Sequence, residues 1–148
     1  MRVIKAQLIN EDDIRSCSHL AYRHYIPRIG REPAPMNADY RDLIINGFVH
    51  IGVTNTDFLI GFIVFYQEHD YMFIENVAVF PSFFGKGYGR RLIAFCEDEA
   101  RRLRMPRVTL YTNEKMTENI NMYVRLGYEE IERRFEDGFN RVYFEKYV

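Results

Sequence analysis

Cysteine is scarce in this sequence, Cys17 and Cys96 being the only two. Both lie in segments of helical pattern and supply neither a disulfide framework nor the spacing of a zinc site, so they read as buried free thiols. The four histidines, His19, His24, His50 and His69, show no ligand spacing either, and no metal is expected. Excess charge is also missing. Lys and Arg number 20 against 21 Asp and Glu, so no net field selects nucleic acid or an anionic membrane as partner, and electrostatic steering must be local. The longest apolar run, Phe58 to Tyr66, falls far below the ~20 residues that span a bilayer. Met1-Arg2-Val3-Ile4-Lys5 runs quickly into Asn10-Glu11-Asp12-Asp13, without the apolar core or cleavage site of a secretory signal. A cytoplasmic protein is therefore expected.

What the chain does have is apolar and aromatic content, 47% and 16% of 148 residues. That suffices to bury the core of one domain over residues 1–148 and is too little for two ordinary ones. Residues 2 to 9 alternate apolar and polar and read as a strand. Asn10 is then placed to cap a helix that carries Glu11, Asp12 and Asp13 at its positive end and runs to about Tyr25. Pro27, Gly30, Pro33 and Pro35 interrupt regular structure, and a short helix over Ala38 to Ile45 closes at Asn46-Gly47. Phe48 to Val53, Phe58 to Gln67 and Tyr71 to Val79 have strand character around short polar turns, which predicts an antiparallel meander. Tyr88, Leu92, Phe95, Cys96, Ala100 and Leu103 recur at helical spacing, predicting a helix from Tyr88 to before Pro106. Val108 to Thr112 reads as a strand and Thr117 to Leu126 as a helix closed by Gly127. Tyr128 to Phe135 and Phe139 to Tyr147 form a hairpin around Asp137-Gly138. The order βααβββαβαββ, with no internal repeat, predicts an α/β (α+β) fold: a mixed, mainly antiparallel central sheet with helices on both faces.

Between the strand ending at Val79 and the helix starting near Tyr88 stands Gly85-Lys86-Gly87-Tyr88-Gly89. Three alternate glycines remove the side chains that would hold a ligand away from backbone N–H groups. The helix they open has unpaired N–H groups and a partial positive charge at its first turn, which suits a phosphate. Lys86 and Arg90 add charge at the rim. The same pattern also serves as a plain tight turn. A P-loop is excluded because no Ser or Thr follows Lys86, and a Rossmann site because the turn follows an antiparallel meander.

Ala78-Val79-Phe80-Pro81 leading into Phe84-Gly85-Lys86-Gly87-Tyr88-Gly89 resembles the signature of the GNAT superfamily of acyl-CoA N-acyltransferases, Gln/Arg-x-x-Gly-x-Gly/Ala after an Ala-Val-x-Pro-like strand end. Thr117 to Tyr128 resembles that family's second motif, and the element order agrees, so the resemblance covers essentially the whole chain. It implies acetyl-CoA as co-substrate and transfer of its acetyl group to a primary amine of a small molecule or peptide. On this reading the pyrophosphate lies on Phe84, Gly85, Lys86, Gly87, Tyr88, Gly89 and Arg90. The pantetheine pairs with Val77, Ala78 and Val79 where the strands at Val77 and Val108 splay apart, and Asn119 reaches the coenzyme arm. Phe84 is a departure, since it stands where the family usually has Gln or Arg.

An alkyl amine with a pKa near 10.4 is protonated at pH 7, and freeing its lone pair costs about 4.6 kcal/mol, so a general base is needed. Glu75, two residues before Val77 and expected on the same strand face, is the candidate; a structural role, paired with a neighbouring strand or solvent, is the alternative. Tyr123 matches the family tyrosine that often protonates the leaving sulfur, set against the usual place of a helical tyrosine in a core. Tyr25 and Met36, in a cluster with Tyr22, Arg28, Arg31 and Tyr40, are expected to face the acceptor, or simply to pin an irregular loop. Two further readings stay open: a non-catalytic acyl-CoA-binding or sensor domain, and an interaction domain with an incidental glycine turn. The aromatic C-terminal hairpin also suits a homodimer contact.

Overall fold

The computed structural model describes all 148 residues. Seven strands, β1 (Arg2–Lys5), β2 (Val49–Val53), β3 (Leu59–Glu68), β4 (Tyr71–Val79), β5 (Arg107–Asn113), β6 (Glu129–Glu136) and β7 (Phe139–Tyr147), form one sheet in the order β1-β2-β3-β4-β5-β7-β6. Every neighbouring pair is antiparallel except β4 and β5. The helices are α1 (Glu11–Tyr22), α2 (Ile26–Ile29), α3 (Tyr40–Ile45), α4 (Tyr88–Arg102) and α5 (Thr117–Arg125). None is long and apolar enough to cross a membrane.

The expected mixed sheet with helices on both faces is present, with local differences that have physical causes. The first strand stops at Lys5, because Leu8–Asn10 turns as a 3-10 helix in which Asn10 Oδ1 accepts from Gln7 N–H (2.8 Å). Asn10 therefore does not cap α1 with its side chain. The proline-rich stretch contains the one-turn helix α2, absent from the expected order. Pro27 sits in its first turn, where its missing N–H has no intrahelical acceptor to lose, and Gly30 ends it in the left-handed region (φ 88°).

Two cores flank the sheet. On one face Ile14, Cys17 and Ala21 of α1 and Tyr40 and Ile44 of α3 pack on Val49, Ile51, Phe62 and Val64. On the other, Leu92, Ile93, Cys96 and Ala100 of α4 and Tyr123 of α5 pack on Ile63, Phe65, Met72, Ile74, Val108, Leu110 and Phe144. Each large apolar side chain so buried contributes about 1.5–3 kcal/mol.

Two irregularities shape the middle of the sheet. Val64 lies opposite Asn76 and Phe65 opposite Ile74, so Glu75 is an extra residue on β4 and forms a bulge. Since strand side chains alternate, the bulge reverses their facing. Met72 and Ile74 enter the α4 core, whereas Asn76 and Ala78 turn toward α1, and Val77 and Val79 pack on the α4 side. Glu75 and Val77 therefore do not share a face, contrary to the sequence expectation. In addition, β4 pairs with β5 only through Met72–Val108, Phe73–Thr109 and Ile74–Leu110, while β5 continues on β7 as far as Asn113. The sheet splays beyond Ile74 and Leu110. Val108 itself is paired, so the opening lies further along β5 than the sequence suggested.

Candidate active site

At the splay a groove of about 640 Å³ runs between α1–α2 and the N-terminal ends of α4 and α5. One wall is the β4 edge, Val77, Ala78 and Val79, which has no neighbouring strand. Its floor continues onto Phe84, Gly85, Gly87, Tyr88, Gly89 and Arg90. Gly85 and Gly87 take φ of 77° and 80°, a region costly for any residue with a Cβ. A Cβ at either position would meet no atom within 4 Å, so only the backbone conformation demands glycine there. The backbone N–H groups of Gly85, Lys86 and Gly87 donate to no backbone acceptor. Gly87 caps α4 with no side-chain hydrogen bond, and the first turn carries no acidic residue. The N–H groups of Tyr88, Gly89 and Arg90 thus keep their partial positive charge unopposed.

A second cavity, about 140 Å³, lies on the α1 side of the splay and is lined by Glu75, Tyr111, Asn113, Phe139, Arg141 and Tyr123, among others. The two spaces share Tyr22, Val77 and Asn119, so they adjoin at the bulge. Glu75 is half-buried and accepts from Tyr66 Oη at 3.0 Å. Burial pushes its carboxyl above the ordinary carboxylate value, opposed by that hydrogen bond. Tyr123 is buried against Tyr128 and Phe144, and burial holds its phenol protonated well past neutrality. Its hydroxyl donates to no group of the chain, yet only His50 Nδ1 is a fully enclosed polar atom without a partner. The Tyr123 hydroxyl therefore faces the cavity as a free donor.

Behind Glu75 a buried polar chain holds the bulge. Asn76 Oδ1 accepts from Tyr22 Oη (2.5 Å), Asn76 Nδ2 donates to Tyr40 Oη (2.6 Å), and Tyr40 Oη reaches the Pro35 carbonyl (2.5 Å). Tyr22 Oη also lies 2.7 Å from the Val77 carbonyl. Burial satisfied in this way fixes geometry at little net cost.

The groove thus gathers Val77, Ala78, Val79, Phe84, Gly85, Gly87, Tyr88, Gly89, Arg90 and Asn119, and the adjoining cavity adds Glu75 and Tyr123. Lys86 stands outside the lining, its Nζ 5.7 Å from the Phe83 ring centre. Tyr25 lines the groove rather than the smaller cavity and donates to Glu118 (2.9 Å), which also takes Arg28. Met36 is buried in the α1-side core and lines neither space, contrary to its expected place facing the acceptor. Tyr22, expected in the acceptor cluster, lines both spaces, whereas Tyr66, Asn76, Tyr111 and Arg141 were not foreseen. Asn76 had a signal, a short amide inside an otherwise apolar strand, whereas the others reach the site only through strand register.

The model of the acetyltransferase (GNAT) family matches residues 14–128. The chain belongs to this family. It is accordingly an acyltransferase. In fold it is similar to the N-acetyltransferase PaiA of Thermoplasma acidophilum, solved with coenzyme A, at a TM-score of 0.82 and 13% identity over 99% of this chain and 98% of that one. It is also similar to the ribosomal-protein-S18-alanine N-acetyltransferase of Escherichia coli (0.76, 15%, 99% and 93%). A third similar structure is the IAA acetyltransferase of Bacillus cereus (0.70, 16%, 99% and 100%). No curated protein matches the sequence. Within the GNAT family, Phe84 remains the departure at the glycine turn, half-exposed at the groove wall.

Proposed function

We propose that this GNAT member transfers the acetyl group of acetyl-CoA to a primary amine, with residues 1–148 acting as one catalytic unit. One observation carries the reading: the uncapped glycine turn, the open β4 edge and the Glu75–Tyr123 cavity lie side by side, with Tyr22, Val77 and Asn119 lining both spaces. The pyrophosphate rests on the N–H groups from Gly85 to Arg90. Pantetheine lies along Val77–Val79 in place of the missing strand neighbour, and Asn119 faces its arm. The thioester then reaches the bulge. The similar PaiA structure, solved with coenzyme A, supports the choice of co-substrate.

The acceptor ammonium gives a proton to Glu75 through water, and its nitrogen attacks the thioester carbon, forming the C–N bond. As the tetrahedral species collapses the C–S bond breaks, and the sulfur takes the proton of Tyr123. The nitrogen gives up its second proton through water to the Tyr123 phenolate, restoring the phenol, and Glu75 releases its own to solvent, so of the two protons the ammonium loses one ends on the thiol and one in solution. Free thiol released from acetyl-CoA in the presence of a panel of primary amines tests the reaction, and amine-dependent release is expected. Tyr123→Phe should lower kcat about 100-fold and leave coenzyme affinity unchanged, because the hydroxyl acts only as the thiolate departs. A wild-type kcat in that variant would remove the acid role.

A further inference from the structure

The identity of the amine is narrowed by the size and charge of the smaller cavity, in an inference that rests on the acyltransfer reading above. Its volume, about 140 Å³, is that of a cavity that takes up one benzene-sized group. Only two ionisable side chains other than tyrosine line it, Glu75 and Arg141. Arg141 is nine-tenths buried, lies 4.3 Å over the Tyr111 ring, and has Nη1 2.9 Å from Asp137 and 3.3 Å from Glu136. Its charge is matched twice within the chain, so a substrate carboxylate would have to break those pairs. Glu75 accepts a hydrogen bond from Tyr66 and has no cationic partner. The cavity therefore presents one uncommitted negative charge.

The remaining surface is uncharged and mixed, with the neutral polar groups Asn76, Thr112, Asn113 and Asn119 beside apolar walls. Pro33, Ala34, Pro35, Ala38, Met116 and Phe139 face the space. A second ammonium would be desolvated there with neutral acceptors alone and no opposite charge. The connector carrying Pro33 and Pro35 is fastened to the β6–β7 turn by Arg31, whose guanidinium sits 4.2 Å over the Phe139 ring and 3.5 Å from the Asp137 carbonyl. Two segments about a hundred residues apart in sequence are thereby joined beside Phe139.

We propose that the acceptor is a compact primary monoamine, with its single ammonium at Glu75 and an uncharged body of about six to eight non-hydrogen atoms against Pro33, Pro35 and Phe139. Polyamines, amino acids, aminoglycosides and peptide N-termini should be poorer acceptors, on charge or on the bulk they bring to this space. The test first establishes acetyl-CoA binding by calorimetry, then compares kcat/KM from thiol release for benzylamine, isoamylamine, spermidine, phenylalanine, kanamycin and a tetrapeptide with a free N-terminus. The two monoamines should exceed each of the others at least tenfold. Preference for any of the other four, or no thiol release with either monoamine on a protein that binds acetyl-CoA, overturns the proposal while leaving the coenzyme site standing. Failure of acetyl-CoA to bind overturns the acyltransfer reading itself.

Discussion

A carboxylate half-removed from water and hydrogen-bonded to one phenol has conflicting demands, and at Glu75 burial outweighs the bond from Tyr66. A base must be deprotonated to act, so the rate should fall as pH drops through a value above the ordinary 4.5 of a carboxyl. Glu75→Gln should remove that acid limb from the kcat/KM profile and lower the plateau about 100-fold; an unchanged limb would assign it to another group. His50 carries a different pH effect. Its ring stacks on Phe65 at 5.1 Å and meets Phe95 at 4.9 Å, with Nδ1 unpartnered. Burial, helped by Lys5, lowers its pKa below the ordinary 6.5. Between the folded value and 6.5 the unfolded chain binds more protons, so stability rises with pH there and is lost as pH falls below 6.5. Urea unfolding should show a slope of at most about 1.4 kcal/mol per pH unit in that window, flattened in His50→Leu. At this scale the glycine turn was legible, because positive φ at Gly85 and Gly87 demands glycine. Met36 was not, because nothing in a proline-rich segment says which side chain turns inward.

The bulge on β4 is the element on which the site depends. It turns Asn76 toward α1, and the pairing of β4 with β5 ends at Ile74, the residue just before it. Asn76→Ala would strip partners from the Tyr22 and Tyr40 hydroxyls and cost about 1–3 kcal/mol in denaturant unfolding. A loss under a few tenths of a kcal/mol would mean that the Tyr22–Asn76–Tyr40 chain does not hold the bulge. The strands themselves could be read from alternation and turn residues. The bulge could not, since Ile74-Glu75-Asn76 contains no glycine and the extra residue is defined only against β3. One-turn α2 escaped for the opposite reason, as Pro27 reads as a breaker until it is placed in a first turn.

Across the whole molecule, two cores on opposite faces hold a sheet whose centre is deliberately unpaired, and the helices that stabilise each face also wall the groove. The order of elements made the fold and the glycine-turn wall of the groove legible, since one contiguous strand, turn and helix build it. The smaller cavity was illegible, because its lining comes from α1, the connector, β4, β5, α5 and β7. Coenzyme binding to this groove should stabilise the fold by about 2.7 kcal/mol at a hundredfold excess over Kd. The central claim is that the glycine turn and open β4 edge hold acetyl-CoA. Calorimetric titration of acetyl-CoA into the wild-type protein and into Gly87→Asp tests it most directly. One saturable site in the wild type, lost when a carboxylate enters the cradle, is the predicted result. No heat at millimolar coenzyme, or equal binding by the variant, would contradict it.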